Sequence, residues 1–268
     1  MPTLKQIAAE RRLDVLEMVY RAKAGHIGGS MSCMDILVSL YYFVMDKHND
    51  HFVLSKGHSA EALYAVLADI GCFPKEELET FTRFDTRLAE HPVAKVPGVV
   101  FSTGALGHGL SVGAGIALGL KRGGNDGCVY VLLGDGEIAE GSVWEAVMAG
   151  YKYKLDNLVA VVDRNRLQIS GYTEDIMPLG NLKERFAAFG WNAIECDGHG
   201  DMTDVLKSRY TDKPTVIIAN TIKGYGSSVI EDKADWHHMI PNTGEYEQIK
   251  ADLLSAARKE LLEAPRSP

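Results

Sequence analysis

The sequence lacks any apolar stretch long enough to span a membrane, and residues 1–5 do not lead into the apolar core of a signal peptide. Its four cysteines are far apart and form no CxxC pair, which argues against a zinc site and indicates reduced cytosolic thiols. The net charge is −8 and the basic residues are scattered, which argues against nucleic acid as a main partner. We therefore expect a cytoplasmic protein that binds neither membrane nor nucleic acid.

Repeats and low-complexity segments are also absent, and no GxGxxG motif lies between a first strand and a first helix. The missing motif makes a nicotinamide-binding protein the least favoured of the enzyme classes considered. The chain has 268 residues, of which 46% are apolar, enough for one sizeable α/β domain. The Pro-containing tail, residues 264–268, is expected to fray.

Strands and helices are predicted to alternate along most of the chain. Apolar spacing predicts a helix over residues 4–22. Residues 128–133 and 158–162 are short apolar runs rich in β-branched residues, typical of buried parallel strands, and a helix is predicted between them over residues 140–153. Further strands are predicted at 51–54, 191–196 and 214–220, and further helices at 34–45, 59–70, 73–88, 110–120, 181–189 and 201–209. This alternation predicts a doubly wound, mostly parallel sheet with helices on both faces.

Two polar signals follow neighbouring predicted strands. Gly134-Asp135-Gly136 turns directly after the first strand, and Asn165 follows the second. Carboxyl ends of parallel strands meet at one edge, where open α/β sheets place their ligands. A carboxylate and an amide oxygen there suit Mg²⁺, and the glycines would let backbone N–H groups approach a phosphate. The alternative is a β-turn in which Asp135 caps the following helix.

The segment GDGEIAEGSVWEA followed by VVDRNRLQISG resembles the thiamine diphosphate motif of the transketolase family. The resemblance extends over nearly the whole chain. It implies the thiamine diphosphate-binding fold, with Mg²⁺, or another divalent cation such as Ca²⁺ or Mn²⁺, bound by Asp135, Asn165 and the carbonyl of Leu167. The cofactor-binding residues that it implies are His58, Gly104, Leu106, Gly136, Glu137, Glu140 and Asn165.

Three family-like segments carry the implied catalytic histidines. AGHIGGS contains His26, which on its own would be a turn histidine. An HP pair contains His91, and KADWHHMIP contains His237, which matches the family position better than His238. Vicinal histidines could suggest a metal site, but neighbouring positions rarely face one ion. The resemblance implies that His26, His91 and His237 bind ketose hydroxyls and move protons.

Two other segments are predicted to contact the cofactor. FVLSKGHSAEALYA offers a cation and an imidazole near a helix N-terminus, and by resemblance His58 contacts the diphosphate. Lys56 and His58 could instead be solvated turn residues. STGALGHG resembles the loop that cradles the thiamine, although its glycines could simply mark a closely packed helix.

Some positions depart from the family pattern or permit two interpretations. Ile27 and Ala105 stand where the family usually has Pro, and His108 stands where it usually has Gln. These departures hint at a divergent donor pocket without selecting a substrate. Glu140 is either a helix cap or, by resemblance, an acidic residue directed toward an interface between subunits.

The match covers the diphosphate-binding domain, so the pyrimidine-binding and C-terminal domains are expected on a partner chain. We predict the N-terminal subunit of a split transketolase, assembled as α₂β₂. It would transfer a two-carbon ketol unit from a ketose phosphate to an aldose. The alternatives are a deoxyxylulose-phosphate synthase-like or 2-oxoacid dehydrogenase-like subunit, or a non-catalytic scaffold that binds the cofactor.

Overall fold

A computed structural model describes residues 2–263, with side chains described as far as residue 258. The predicted fraying of residues 264–268 lies outside this range. None of the described helices is long and apolar enough to cross a membrane.

A five-stranded parallel sheet forms the centre of the fold. Its strands are β1 (His51–Leu54), β2 (Val129–Gly134), β3 (Leu158–Arg164), β6 (Asn192–Asp197) and β7 (Thr215–Asn220). Their spatial order is β1-β2-β3-β7-β6, and every neighbouring pair is parallel. Two short strands, β4 (Leu167–Gln168) and β5 (Gly171–Tyr172), form a separate antiparallel pair.

Ten helices accompany these strands in the described residues. They are α1 (Leu4–Ala22), α2 (Ile27–Ser32), α3 (Met34–Val38), α4 (Ala60–Asp69), α5 (Gly109–Arg122), α6 (Gly141–Lys152), α7 (Thr173–Ile176), α8 (Leu182–Ala188), α9 (Thr203–Leu206) and α10 (Thr243–Glu263).

Both faces of the sheet are covered by helices. Alternate side chains of a strand point to opposite faces, and Tyr130 and Leu132 of β2 pack into one apolar cluster with residues of α1, α3, α4 and α10. Val129, Val131 and Leu133 pack into a second cluster with residues of α5, α6 and α8. The near-continuous apolar runs predicted as strands are thus explained by burial on two sides, and the predicted α/β fold is confirmed.

Three predicted helices differ from those observed. Of residues 73–88, only Lys75–Thr80 forms a short 3₁₀ helix, and Thr82 and Asp85 adopt positive φ angles of 59° and 63° that interrupt a helix. The helix predicted over 34–45 is α-helical only as far as Val38, where α3 ends. A π-helical segment, Ser39–Val44, follows directly. The helix predicted over 201–209 contracts to α9.

The loop predicted around His26 is largely helical, because α2 begins directly after this residue. Close packing explains the glycines of α2. A Cβ added to Gly28 would lie 2.6 Å from the backbone oxygen of Trp236, and one added to Gly29 would lie 3.1 Å from Ser59 Oγ. The glycines therefore allow α2 to approach two segments that are distant in sequence.

Candidate active site

The ends of β2 and β3 lie side by side, as predicted. Gly134 of β2 is in register with Asp163 of β3, so Asp135 and Asn165 follow neighbouring parallel strands at the same edge. A cavity of ≈ 410 Å³ opens at this edge. All the residues predicted for the site line it: His26, His58, His91, Gly104, Leu106, Asp135, Gly136, Glu137, Glu140, Asn165, Leu167 and His237.

Asp135 is buried at the cavity floor, a term we use for Asp135, Asn165, Leu167 and Lys223. Its carboxylate accepts hydrogen bonds from the backbone N–H groups of Gly136 (2.8 Å) and Arg166 (2.6 Å). Burial, reinforced by the nearby charge of Asp163, nevertheless raises the pKa of Asp135 to about 6. A bound cation would relieve this unfavourable burial of negative charge.

Oxygen atoms of Asn165 and Leu167 complete the donor set at the floor. Asn165 Oδ1 accepts a hydrogen bond from the backbone N–H of Leu167 (3.1 Å), and its amide group faces Ser32 Oγ (3.3 Å). The Leu167 carbonyl accepts a hydrogen bond from Lys223 Nζ (3.3 Å). Carboxylate, amide and carbonyl oxygens are hard donors, so this set fits Mg²⁺ and chemically similar cations.

Lys56 is not a solvated turn residue, which was the alternative left open by the sequence. It is buried, forms an ion pair with Asp163, and donates to the carbonyl of Gly29 at 3.1 Å. Although burial disfavours the Asp163 carboxylate, Lys56 and the hydroxyls of Ser32 and Thr221 hold its pKa below the ordinary value. Sequence reasoning missed Asp163; the available signal was an acidic residue at the end of a fully apolar strand.

Lys223 is a second buried cation that sequence reasoning did not select. Only 1% of its surface is exposed, and Nζ lies 2.9 Å from His237 Nδ1. Burial, with the nearby charge of Lys56, lowers the pKa of Lys223 to about 8. Among the described residues no carboxylate forms an ion pair with it, and the negative charges of Asp135 and Asp163 only partly offset the burial of the ammonium group.

Four histidines gather around His26, and we refer to the five residues together as the histidine cluster. The His26 ring centroid lies 5.6 Å from that of His58, 5.8 Å from His91, 5.5 Å from His237 and 4.6 Å from His238. Burial is the main cause that lowers the pKa of His26 to about 4 and that of His237 to about 3. These two rings are therefore neutral at pH 7 and can accept a proton.

The structure distinguishes the two vicinal histidines. His237 lines the cavity, whereas the His238 side chain is 56% exposed and its Nε2 lies 3.5 Å from Glu90 Oε2. His237 therefore lies where it could face a substrate, and its role stays a prediction.

Glu137 connects the loop STGALGHG, residues 102–109, to the sheet. Its buried carboxylate accepts hydrogen bonds from the backbone N–H groups of Gly107 (2.8 Å) and Gly134 (3.0 Å), and from the Ser55 hydroxyl. Gly107 has a φ of 84°, a conformation that favours glycine. Glu137 thereby holds the loop that carries Gly104 and Leu106 over the cavity.

Glu140 differs from Glu137 although the two lie three residues apart. It is exposed and occupies the residue before α6, but it forms no capping hydrogen bond there. Its position at the N-terminus of α6 is the one expected of an acidic residue that complements the helix dipole, so this interpretation stays open. The predicted role toward an interface between subunits stays a prediction.

His199 orients the segment that carries Lys223. Its Nδ1 lies 3.1 Å from Asp35 Oδ2, and its Nε2 accepts a hydrogen bond from the backbone N–H of Ile222 at 2.8 Å. Asp35 in turn forms a buried ion pair with Arg12. The ring of His199 also stacks on Tyr225, with centroids 3.6 Å apart. Sequence reasoning missed this chain of contacts, because its members lie in three distant segments.

The sequence profile described as "Transketolase, thiamine diphosphate binding domain" matches residues 3–259. The chain belongs to the transketolase family. One relative, named as a subunit of the apulose-4-phosphate transketolase of Phocaeicola vulgatus, is 46% identical over 92% of both chains. Another, named as a subunit of the 6-deoxy-6-sulfo-D-fructose transketolase of a Clostridium species, is 41% identical over 84% of this chain and 86% of its own length.

Longer transketolases match this chain over only part of their own length. Human transketolase is 37% identical over 99% of this chain, which spans 44% of the human protein. A crystal structure of Pichia stipitis transketolase with sedoheptulose 7-phosphate superposes with a TM-score of 0.85 at 26% identity, over 97% of this chain and 44% of the other. The chain thus spans less than half of these transketolases.

These relatives confirm the prediction of a transketolase family member with the thiamine diphosphate-binding fold. They also confirm the prediction of an N-terminal subunit of a thiamine diphosphate-dependent transketolase, because relatives of the same length are named as subunits of such enzymes. The roles assigned to individual residues stay predictions, although those residues share one cavity.

Proposed function

We propose that this chain and a partner chain together transfer a two-carbon ketol unit from a ketose phosphate to an aldose. The partner would carry the pyrimidine-binding and C-terminal domains, in an α₂β₂ assembly. One observation carries the proposal: a buried carboxylate at Asp135 and a buried ammonium at Lys223 face one cavity, and neither forms an ion pair with another described residue. A divalent cation would stabilise the buried carboxylate, and a diphosphate would stabilise the buried ammonium.

Asp135, Asn165 and the carbonyl of Leu167 would hold the divalent cation, for which Mg²⁺ is the best fit to three oxygen donors. Lys223 now donates to the Leu167 carbonyl. An ammonium group and a cation cannot share this oxygen favourably. Lys223 would therefore turn from the carbonyl toward the diphosphate when the cation binds.

Gly136 and the ring of His58 are the other groups proposed to contact the diphosphate. Gly136 has little room for a side chain, because an added Cβ would lie 2.9 Å from Gln168 Oε1. Burial, with the charge of Lys56, lowers the pKa of His58 well below its ordinary value. His58 would therefore donate a hydrogen bond as a neutral imidazole and would not act as a cation.

Bound thiamine diphosphate supplies an electron sink for cleavage of the carbon–carbon bond beside the ketose carbonyl. His237 is suited to donate a hydrogen bond to a ketose oxygen: Lys223 Nζ lies 2.9 Å from His237 Nδ1, which as the acceptor leaves the proton of the neutral ring on Nε2. His26 and His91 would hold the ketose hydroxyls, and neutral His26 can accept a hydroxyl proton.

Exposed apolar residues beside the cavity support a partner chain. Ile169 is 73% exposed and lines the cavity, and Met177 and Tyr172 of the adjoining segment are also exposed. A partner that covered this surface would exclude water from the site and remove apolar area from solvent. Four free cysteines support a location in the reducing cytoplasm.

For the donor, we propose a ketose phosphate, with apulose 4-phosphate as the first to test. Support comes from the relative of nearly equal length whose name contains this sugar. The relative named for 6-deoxy-6-sulfo-D-fructose makes that sulfonated ketose the second donor to test, and xylulose 5-phosphate is the reference.

The decisive experiment is gentle purification of the tagged chain from its native host, followed by mass determination of what accompanies it. We expect a stoichiometric second chain with a pyrimidine-binding domain, and ketol transfer from one of the three donors by the pair. Recovery of the chain alone in the presence of thiamine diphosphate and Mg²⁺ would contradict the split enzyme. It would favour the non-catalytic scaffold.

A further inference from the structure

His26, Glu90 and His238 form a group that we call the mouth. It adjoins the cavity through His26, and its metal-binding chemistry differs from that of the floor. Five of the nine histidines in the chain belong to the histidine cluster. On the solvent side of this cluster, Glu90 approaches both His26 and His238. The floor offers oxygen donors, whereas the mouth offers two imidazoles and one carboxylate.

The spacing of the three mouth residues is close to that of a tetrahedral zinc site. Glu90 Oε2 lies 3.5 Å from His238 Nε2 and 3.9 Å from His26 Nδ1, and the three ligand atoms lie within 4.8 Å of one another. Zn–N and Zn–O bonds of about 2.0–2.1 Å place tetrahedral ligand atoms about 3.4 Å apart. Small side-chain rotations would therefore bring the three atoms to bonding distance.

The environment of the ring nitrogen Nδ1 of His26 is an independent observation that supports a metal site. This atom is buried, and it has no hydrogen-bond partner among the residues that the structure describes. The backbone N–H of the same residue is held by Glu61 at 2.7 Å, which fixes the residue in place. A positioned imidazole nitrogen without a partner is available as a metal ligand, and binding an ion would satisfy it.

We propose that His26, Glu90 and His238 form a binding site for a transition-metal ion such as Zn²⁺, separate from the oxygen-lined site at the cavity floor. Two histidines and one glutamate are a recurrent zinc ligand set, with the fourth position open to water. Nitrogen ligands select Zn²⁺, Co²⁺ or Cu²⁺ over Mg²⁺, which prefers oxygen. The two sites would therefore be occupied by different ions in a mixture.

A metal ion at the mouth would inhibit ketol transfer. It would hold a nitrogen of His26, which lines the cavity and is proposed to bind the ketose hydroxyls. Inhibition would therefore be relieved by high ketose concentration and would not be relieved by Mg²⁺. This consequence rests on the proposed function, whereas the binding of the metal does not.

The first test measures metal binding to the full chain in saturating Mg²⁺ and thiamine diphosphate. Zn²⁺ is titrated by calorimetry, and Co²⁺ is followed by its visible absorption, which is intense for tetrahedral sites. We expect one Zn²⁺ per chain. Glu90→Gln and His238→Ala should each weaken the affinity about tenfold or more, since even outer-ligand changes have effects of this size.

The matched control is His48→Ala, which removes an exposed histidine outside the cluster. Its Zn²⁺ affinity should equal that of the unmodified chain. The proposal is overturned if no stoichiometric Zn²⁺ binds in the presence of Mg²⁺, or if His48→Ala weakens binding as much as Glu90→Gln and His238→Ala do. Neither result depends on enzymatic activity, so failure here is distinct from failure of the proposed function.

A second test uses the complex with the co-purified partner. Zn²⁺ should inhibit the unmodified complex in competition with the ketose donor, and Glu90→Gln should need about tenfold more Zn²⁺ for the same inhibition. Inhibition that Mg²⁺ reverses in competition would place the Zn²⁺ at the floor and would overturn the proposal.

Discussion

At the floor of the cavity, Asp135 is fixed by backbone N–H groups and Lys223 is buried, whereas at the mouth Glu90 and His238 are partly exposed and His26 Nδ1 has no hydrogen-bond partner among the described residues. The floor holds full charges in fixed positions, whereas burial keeps the rings of His26, His58 and His237 neutral in the cluster above it. This contrast suits a charged cofactor group below and the hydroxyl groups of a sugar above. Substitutions at the floor should therefore affect cofactor binding, and those in the cluster should affect turnover.

The largest effect is expected for Asp135→Asn at the floor. The amide lacks the negative charge needed for the cation, and its NH₂ group would face either the N–H of Gly136 or that of Arg166, which now bond to different carboxylate oxygens. Mg²⁺-dependent affinity for thiamine diphosphate should fall by about 100-fold or more, measured by calorimetry. Asp212→Asn, at an exposed site, is the control. Unchanged affinity in Asp135→Asn would remove Asp135 from the metal site.

His91→Ala tests whether the histidine cluster affects turnover and not cofactor binding. His91 lines the cavity but contacts none of the floor oxygens in the described hydrogen bonds. The turnover number of the complex should fall by about 100-fold, a typical effect of losing a proton-transfer group. Calorimetry should show nearly unchanged cofactor affinity. A loss of cofactor binding equal to the loss of turnover would show that His91 helps to bind the cofactor.

Lys223→Met removes the buried ammonium group while keeping much of its apolar chain. Cofactor affinity should fall by about 10- to 100-fold, since hydrogen bonds to charged groups contribute about 1.5–3 kcal/mol. Stability of the cofactor-free chain should not fall, because the lowered pKa indicates that the attraction of Asp135 and Asp163 does not compensate the burial of the ammonium. Thermal unfolding and cofactor titration on the same sample check both expectations.

The pH dependence of stability tests whether the Lys223 ammonium is desolvated in the folded state. Its folded-state pKa is lowered from 10.5 to about 8, so the unfolded state binds more protons between these values. The unmodified chain should therefore gain stability relative to Lys223→Met as the pH rises from 8 to 10.5. A difference that stays constant over this range would show that Lys223 is not desolvated as the structure indicates.

The smallest effect is expected for His199→Ala, which acts on the floor indirectly. Loss of the acceptor for the Ile222 N–H should loosen the segment that carries Lys223 and reduce cofactor affinity by roughly threefold to tenfold, the equivalent of one hydrogen bond. His199→Gln can restore an acceptor and should recover part of the affinity. Equal losses of affinity in His199→Ala and His199→Gln, with equal losses in melting temperature, would indicate a general structural role.

Local sequence rules were sufficient for the sheet and for much of the site. The strands that end near Asp135 and Asn165 could be predicted because apolar runs buried on both faces are distinctive, and parallel strands align their ends. The helix α1 was also predicted with its observed bounds from its apolar spacing. The structure adds a capping box formed by Thr3 and Gln6 at its start. Residues 73–88 were wrongly predicted as helical, because tertiary contacts overrode weak helical spacing there.

The sequence by itself determined which residues sit at the ends of the central strands, because strand ends and turns follow from local patterns. Only the tertiary structure decided that Lys223 reaches the Leu167 carbonyl, that His199 links Asp35 to Ile222, and that Glu90 lies between His26 and His238. These contacts join segments far apart along the chain. Their distances are set by packing of the whole sheet and its helices, which no local pattern encodes.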